Sequence, residues 1–447
     1  MSTTARPDPK PPRSLRPRRT LATRLARRDE PWFVTPEAAR NTPLMRLLAV
    51  ALLPDEDRAL AGVERAERAL QSWRAEHGDR ALDDGELREL LQQCVTDALA
   101  PVAGTPLTSG ISSGFDSRPL IQTMWDLGHE PTLYCCGQPG NIDWDVVQWL
   151  RERMGLDVHM LDTTTMPFSL EQYELKRATS LDLPLGAVGL ANDLVDQLVP
   201  RRINVHGFLN DTLTGDNREK AKSAVGDDRA AFIGRNDQFL LQQLMEPSFI
   251  DRLAPSAAVS PDRELDLYRQ YDIAYRQYSR IRPFDNEHQT HVFPFEDERW
   301  MGYWLGRPLE ERAAQTRWMA FVRGMGSELL ADLEGIEEEG KRLRWARKWR
   351  FYGHKDTPGL IDLDALDVTP QHEPAFPFDP YACARNNPTF RAVVETSLAR
   401  VRGRRVFRES FLSAVETRFW AGDVTASKML NGVVTADIAL ASGRIDE

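Results

Sequence analysis

Cysteine is scarce, with four in 447 residues: Cys94, Cys135, Cys136 and Cys383. None falls in a CxxC or Cys/His ligand spacing, and adjacent Cys135 and Cys136 make awkward disulfide partners, which excludes a disulfide framework and a zinc module. Reduced thiols in a cytoplasmic protein are expected. Long apolar runs are missing too. The longest near the start, Leu47 to Leu53, is far shorter than the roughly 20 residues a membrane helix needs, so no membrane partner is expected. Histidine is sparse, and His288 and His291 lack a third ligand for a metal. No internal repeat is visible.

A basic surplus is absent as well. Lys and Arg number 57 against 67 Asp and Glu, a net charge of -10, which argues against nucleic acid as a general partner. Two local stretches run the other way. Residues 1–28 carry nine Lys or Arg against the single acid Asp8, with several prolines and no apolar core of a signal peptide, and read as a flexible basic tail. "KRLRWARKWR" at 341–350 interleaves Trp345 and Trp349 with six positive charges; it suits a phosphate backbone or a charged surface helix anchored by its two Trp.

What is present is 41% hydrophobic residues, enough for a large core and two or three domains. Residues 36–103 show helical spacing, as in "GELRELLQQCVTDALAPV", with a stop near Gly104. Beyond it, "LTSGISSGFDSRPLI" (107–121) reads as a strand, a Ser/Gly turn and a helix. "PTLYCCG", "LDVHMLD" and "RRINV" read as strands, with a helix through "DWDVVQWLRERMG". Strands alternating with helices predict parallel βαβ units, and helical periodicity returns from about residue 260. The expected segments are a basic disordered tail (1–30), a helical lead-in (31–103), an α/β domain (104–330) and a helical C-terminal region (331–447).

In such a sheet, ligands sit beyond the carboxyl ends of the strands, where loop N–H groups meet the positive end of the next helix. Gly114 allows close backbone approach, Ser112 and Ser117 offer hydroxyls, and Asp116 is placed to hold Mg²⁺ against phosphate oxygens. A capped turn of no function uses the same residue types. By contrast "GIEEEGKR" (335–342) imitates a nucleotide loop but fails, because Arg342 replaces the Mg²⁺-binding hydroxyl and Glu337, Glu338 and Glu339 would repel phosphate.

"SSGFDS" resembles the S-G-G-x-D-S loop of the PP-loop ATP pyrophosphatases, and within that superfamily the asparagine synthetase-like branch. Three later blocks resemble that branch in the right order. They are "CGQPGNIDWDVVQWLRERMGLDVHMLD" with Asp143, "HGFLNDTLTGD" with Gly207, Asp211 and Gly215, and "HVFPFEDERW" with Pro294, Phe295 and Asp297. The resemblance spans roughly 100–330. It implies a parallel-sheet PP-loop fold (adenine nucleotide alpha hydrolase-like) with helical N-terminal and C-terminal extensions, and ATP and Mg²⁺ as cofactors. The implied activity is an AMP-forming ligase that adenylates a small-molecule or peptide carboxylate and passes it to an amine or ammonia.

By the same resemblance Ser112, Ser113, Gly114, Ser117 and Gly207 would line the pyrophosphate, Asp116 and Asp211 would hold the metal, and Cys135, Cys136 and Gly137 would meet the adenine. His206, beside Gly207, would line the site. Three positions depart from the pattern: Ser113 replaces a glycine, Thr212 a carboxylate, and Arg317 is the nearest cation by spacing where a lysine is expected. Ser2 stands where the glutamine-dependent enzymes carry their nucleophilic cysteine. The amine is therefore expected as free ammonium, from a separate ammonia-supplying partner, or as part of the substrate. Alternatives are a tRNA-modifying PP-loop enzyme and a catalytically weakened nucleotide-binding protein.

Overall fold

The computed structural model of the chain describes residues 33–50, 56–137, 142–162, 202–215, 262–282, 289–312, 315–330 and 380–443, with isolated positions between them. The basic tail, the 341–350 stretch, the 335–342 imitation loop and His288 lie outside the described residues.

Chain order begins with helices α1 (Thr42–Val50), α2 (Glu56–His77) and α3 (Asp84–Leu99). A reciprocal cap starts α3: Asp83 accepts the Glu86 N–H at 2.9 Å and Glu86 accepts the Asp83 N–H at 3.1 Å. The expected stop follows, with Gly104 at φ +82°, a conformation open to glycine without strain. Next come β1 (Leu107–Gly110), α4 (Ser117–Asp126), β2 (Thr132–Gly137), α5 (Ile142–Met154), β3 (Val158–Asp162), β4 (Arg202–Val205) and α6 (Asn210–Thr214). Helix α7 (Leu267–Tyr271) continues as a π-helix over Asp272–Ile281. After β5 (Gln289–Val292) lie α8 (Glu298–Leu305), α9 (Leu309–Arg312) and α10 (Thr316–Gly324). Helices α11 (Pro380–Asn386), α12 (Pro388–Arg404), α13 (Glu409–Trp420) and α14 (Val424–Ala441) complete the described chain.

The five strands form one all-parallel sheet in the order β3-β2-β1-β4-β5. All four residues of β4 are buried, as a strand covered on both faces requires. From β1 the chain runs outward through β2 and β3, whereas β4 returns to the other side of β1. The order therefore switches between β1 and β4, where loops leaving the carboxyl ends diverge and open a crevice.

The helices leading in and trailing out belong to the same apolar core as the sheet. Helix α8 lies so close on α2 that a Cβ at Gly302 would fall 2.3 Å from the Ala69 carbonyl oxygen. Trp300 and Trp304 of α8 and Trp318 of α10 form an edge-to-face cluster with centroids 5.9–6.0 Å apart. Near the N-terminus Val34 bridges to Phe407, and Thr35 donates to the Val406 carbonyl at 2.9 Å. None of the four cysteines is in a disulfide, and no helix among the described residues is long and apolar enough to cross a membrane.

Candidate functional site

The Ser/Gly loop leaves β1 at the switch point, and buried Arg118 shapes it from beneath. Its Nε donates to the Gly114 carbonyl at 3.1 Å, one Nη to the Ser113 carbonyl at 3.0 Å and the other to Leu329 at 3.1 Å. Two loop carbonyls are thus turned down onto one guanidinium. Ser112 Oγ accepts the Gly114 N–H at 3.1 Å and lies 3.1 Å from Ser117 Oγ, which ties the start of the loop to the first residue of α4. The Ser113 N–H and hydroxyl both donate to one oxygen of Asp143, at 2.8 and 2.6 Å. An acidic side chain of α5 thus occupies an anion position that the loop creates.

Asp116 precedes α4 but does not cap it: its backbone is already helical and its side chain makes no capping hydrogen bond. Its Oδ1 instead accepts from Asn210 Nδ2 at 2.8 Å, and Asn210 Oδ1 accepts from the indole of Trp300 at 3.1 Å. The chain Trp300–Asn210–Asp116 therefore fixes the carboxylate from the apolar core outward.

Gly207, in the loop after β4, explains why that loop lies so near. A Cβ there would meet the Asp116 backbone carbon at 3.1 Å and its carbonyl oxygen at 3.2 Å, so the glycine permits the contact between the two loops. Two residues on, Leu209 takes a left-handed φ of +75°, a strained choice for a branched side chain. Its carbonyl accepts the N–H groups of Thr212 and Leu213 and so starts α6.

Burial pushes the Asp116 carboxyl up to about 7, the nearby negative charge of Asp211 adds to this, and the Asn210 hydrogen bond and Arg276 charge oppose it. Arg276 Nη2 donates to Asp211 Oδ2 at 2.6 Å and to the Thr212 hydroxyl at 2.9 Å, while its Nε donates to Asp272 at 2.7 Å. Gln277 donates to Asp211 Oδ1 at 3.1 Å and to Thr212 at 2.6 Å. A π turn closes over five residues, which carries Gln277 under Asp272 beside Arg276. Thr212, where the resemblance expects a carboxylate, donates its hydroxyl proton to Asp272.

On the other side of the crevice His206 Nε2 lies 2.7 Å from His291 Nδ1, so one ring donates and the other accepts. Burial, then the charges of His291, Arg202 and Arg282, hold His206 well below the ordinary imidazole range.

The structure thus brings Ser112, Ser113, Gly114, Asp116, Ser117, Gly207 and Asp211 to one crevice. Cys136 and Gly137 end β2, the neighbour of β1. Burial pushes both Cys135 and Cys136 thiols up, which keeps them protonated. Arg317 joins a different group: it donates to Asp84 at 2.6 Å and to the Leu82 carbonyl at 3.0 Å, at the start of α3. The cation that meets the acids of the crevice is Arg276. Arg118, Asn210, Arg276 and Gln277 were not singled out from the sequence. Arg118 directly follows the loop motif, so only its burial was hidden, whereas Arg276 is 65 residues from its partner Asp211. No protein-family model and no curated protein matches this chain.

Proposed function

We propose that the chain is an ATP-dependent, AMP-forming ligase of the asparagine synthetase-like type, with a PP-loop fold, joining a carboxylate substrate to an amine. The observation that carries this reading is the meeting of two loops at the switch point, where Gly207 lacks the Cβ that would push Asp116 away. Such a site offers the hydroxyls of Ser112 and Ser117, the positive end of α4, and a carboxylate anchored through Asn210. Those are the groups a bound triphosphate requires.

Mg²⁺ fits this donor set in part. The charges of Asp116 and Asp211 oppose each other, a spot that favours a cation, and Mg²⁺ uses about one or two carboxylates besides phosphate oxygens. Among the described residues no cluster of three or more His, Cys, Asp or Glu surrounds a metal position, and both oxygens of Asp211 accept from Arg276 and Gln277. Asp116 would hold the ion, joined by Asp211 once Arg276 gives way. When bound, the ion supplies charge neutralisation at the phosphate oxygens. The protein's own part is to orient the α-phosphorus toward the carboxylate and to steady the departing pyrophosphate with the positive end of α4 and Arg276. The amine then displaces AMP from the acyl group.

One observation favours a second reading, a nucleotide-binding protein that turns over poorly. Ser113, which replaces a glycine, spends its N–H and hydroxyl on Asp143, so an internal anion holds part of the phosphate position. Mass spectrometry of ATP incubated with candidate acids and amines separates the two. AMP and pyrophosphate support the ligase, ATP bound without pyrophosphate release supports the second reading, and ADP with phosphate overturns the first.

A further inference from the structure

A cavity of about 550 Å³ opens well away from that crevice, between α2, α7, α8 and α9. Helix α8 spans the two places: Trp300 touches Asn210 at one end, and Arg307 lies seven residues on, roughly 10 Å along the axis. Three arginines on its wall are almost wholly buried, with Arg269 5%, Arg307 4% and Arg312 5% exposed. Each is aimed by a backbone carbonyl: Arg269 donates to Leu305 at 3.3 Å, Arg307 to Asp79 at 2.8 Å and Arg312 to Arg307 at 2.8 Å.

Four carboxylates, Asp79, Glu264, Asp266 and Glu311, line the same cavity. Arg74 is bound by Glu264, and Asp266 lies 3.5 Å from Arg269. Arg307 has no carboxylate in contact among the described residues; its Nε is buried without an acceptor and the Tyr303 ring centre lies 5.1 Å from its guanidinium. A desolvated guanidinium with a single carbonyl partner is costly unless an anion completes its fork.

We infer that this cavity is a second binding site, for a small organic anion whose carboxylate or phosphate is gripped by Arg307, with the charges of Arg269 and Arg312 beside it. The volume lies in the range of roughly 300–1,000 Å³ that holds small-molecule ligands, and it exceeds what a lone phosphate fills. Glu311 and Asp79 also face the cavity, so the ligand carries a hydroxyl or amino group at its other end. The inference does not depend on the nucleotide reading.

The test follows thermal stability of the full chain in phosphoethanolamine and in 4-aminobutyrate, which carry an amino group opposite a phosphate or a carboxylate, each against sodium chloride at equal ionic strength. A saturable stabilisation is expected, the stronger of the two anions identifying the head group. Arg307→Met should weaken it at least tenfold. Ala81→Trp, which fills the exposed rim and removes no charge, should abolish it and decides the matter if Arg307→Met does not fold. Asp116→Asn should leave it unchanged. No saturable effect with either anion overturns the inference, as does one that survives Ala81→Trp or one that Asp116→Asn strengthens or weakens, which would belong to the Ser/Gly loop.

Discussion

Replacing Asp116 by Asn removes a charge that the fold holds at a cost. The native carboxyl is raised from 3.8 to about 7, so between those values the native state keeps a proton that the unfolded chain has lost. Stability from this group is therefore highest below pH 4, falls as pH rises through 4 to 7, and stays low above. At about 1.4 kcal/mol per pH unit, the full cost at pH 8 is at most about 4 kcal/mol, lowered by solvent that still reaches the partly buried side chain. Asn preserves the shape, and its carbonyl still accepts from Asn210. Asp116→Asn should thus leave urea stability nearly unchanged at pH 3 and raise it by about 1–4 kcal/mol at pH 8. Mg·ATP binding should weaken and turnover should fall about 10²-fold or more. A capped turn without function predicts the opposite sign, a loss of about 1 kcal/mol with nucleotide affinity intact. A variant no more stable than the parent at pH 8 refutes the electrostatic argument, whatever its activity.

Gly207→Ala should cost about 1–3 kcal/mol by forcing the Asp116 backbone to yield, and should weaken Mg·ATP binding; urea unfolding and calorimetry check both. Arg276→Gln leaves Asp272, 1% exposed, without its cation and should cost about 3–5 kcal/mol and abolish AMP formation. Arg317→Gln breaks a part-exposed pair with Asp84 and one bond to the Leu82 carbonyl, and should cost about 1–2 kcal/mol with AMP formation kept. His206, held well below the ordinary range, contributes stability that is full above about pH 6.5 and lost as pH falls, so His206→Gln should flatten the acid limb of a melting profile below that pH.

The strands were legible because each is a short apolar or β-branched run bounded by turn residues. "TLYCCG", "VHMLD" and "RINV" all form strands where expected. The helix stop at Gly104 was legible for the same local reason. Strand β5 was not: "QTHV" carries two polar residues and a histidine at the sheet edge, where only pairing with β4 defines it. The π-helix was hidden too, since a helical pattern of apolar residues does not say whether a turn closes over four residues or five. Of the site, the Ser/Gly loop could be read because its chemistry is written in consecutive residues. Arg276 could not, because its role is set by acids on α6 and on its own helix, and spacing downstream of a motif pointed to Arg317 instead.

On the proposed function, a ligand arriving in the crevice must displace contacts that the protein makes with itself. In the crevice the protein answers its own charges: Asp143 takes the donors of Ser113, and Arg276 takes Asp211. A phosphate entering the loop exchanges one charge-assisted hydrogen bond for another at Ser113, which gains little. Net affinity must then come largely from Asp116, whose carboxyl is held above its ordinary range by burial and by the charge of Asp211. That asymmetry gives Asp116 its place in the argument. Asp143 and Arg276 answer charge within the crevice, and the poorly accommodated charge of Asp116 is what would favour a cation and the phosphates that accompany one.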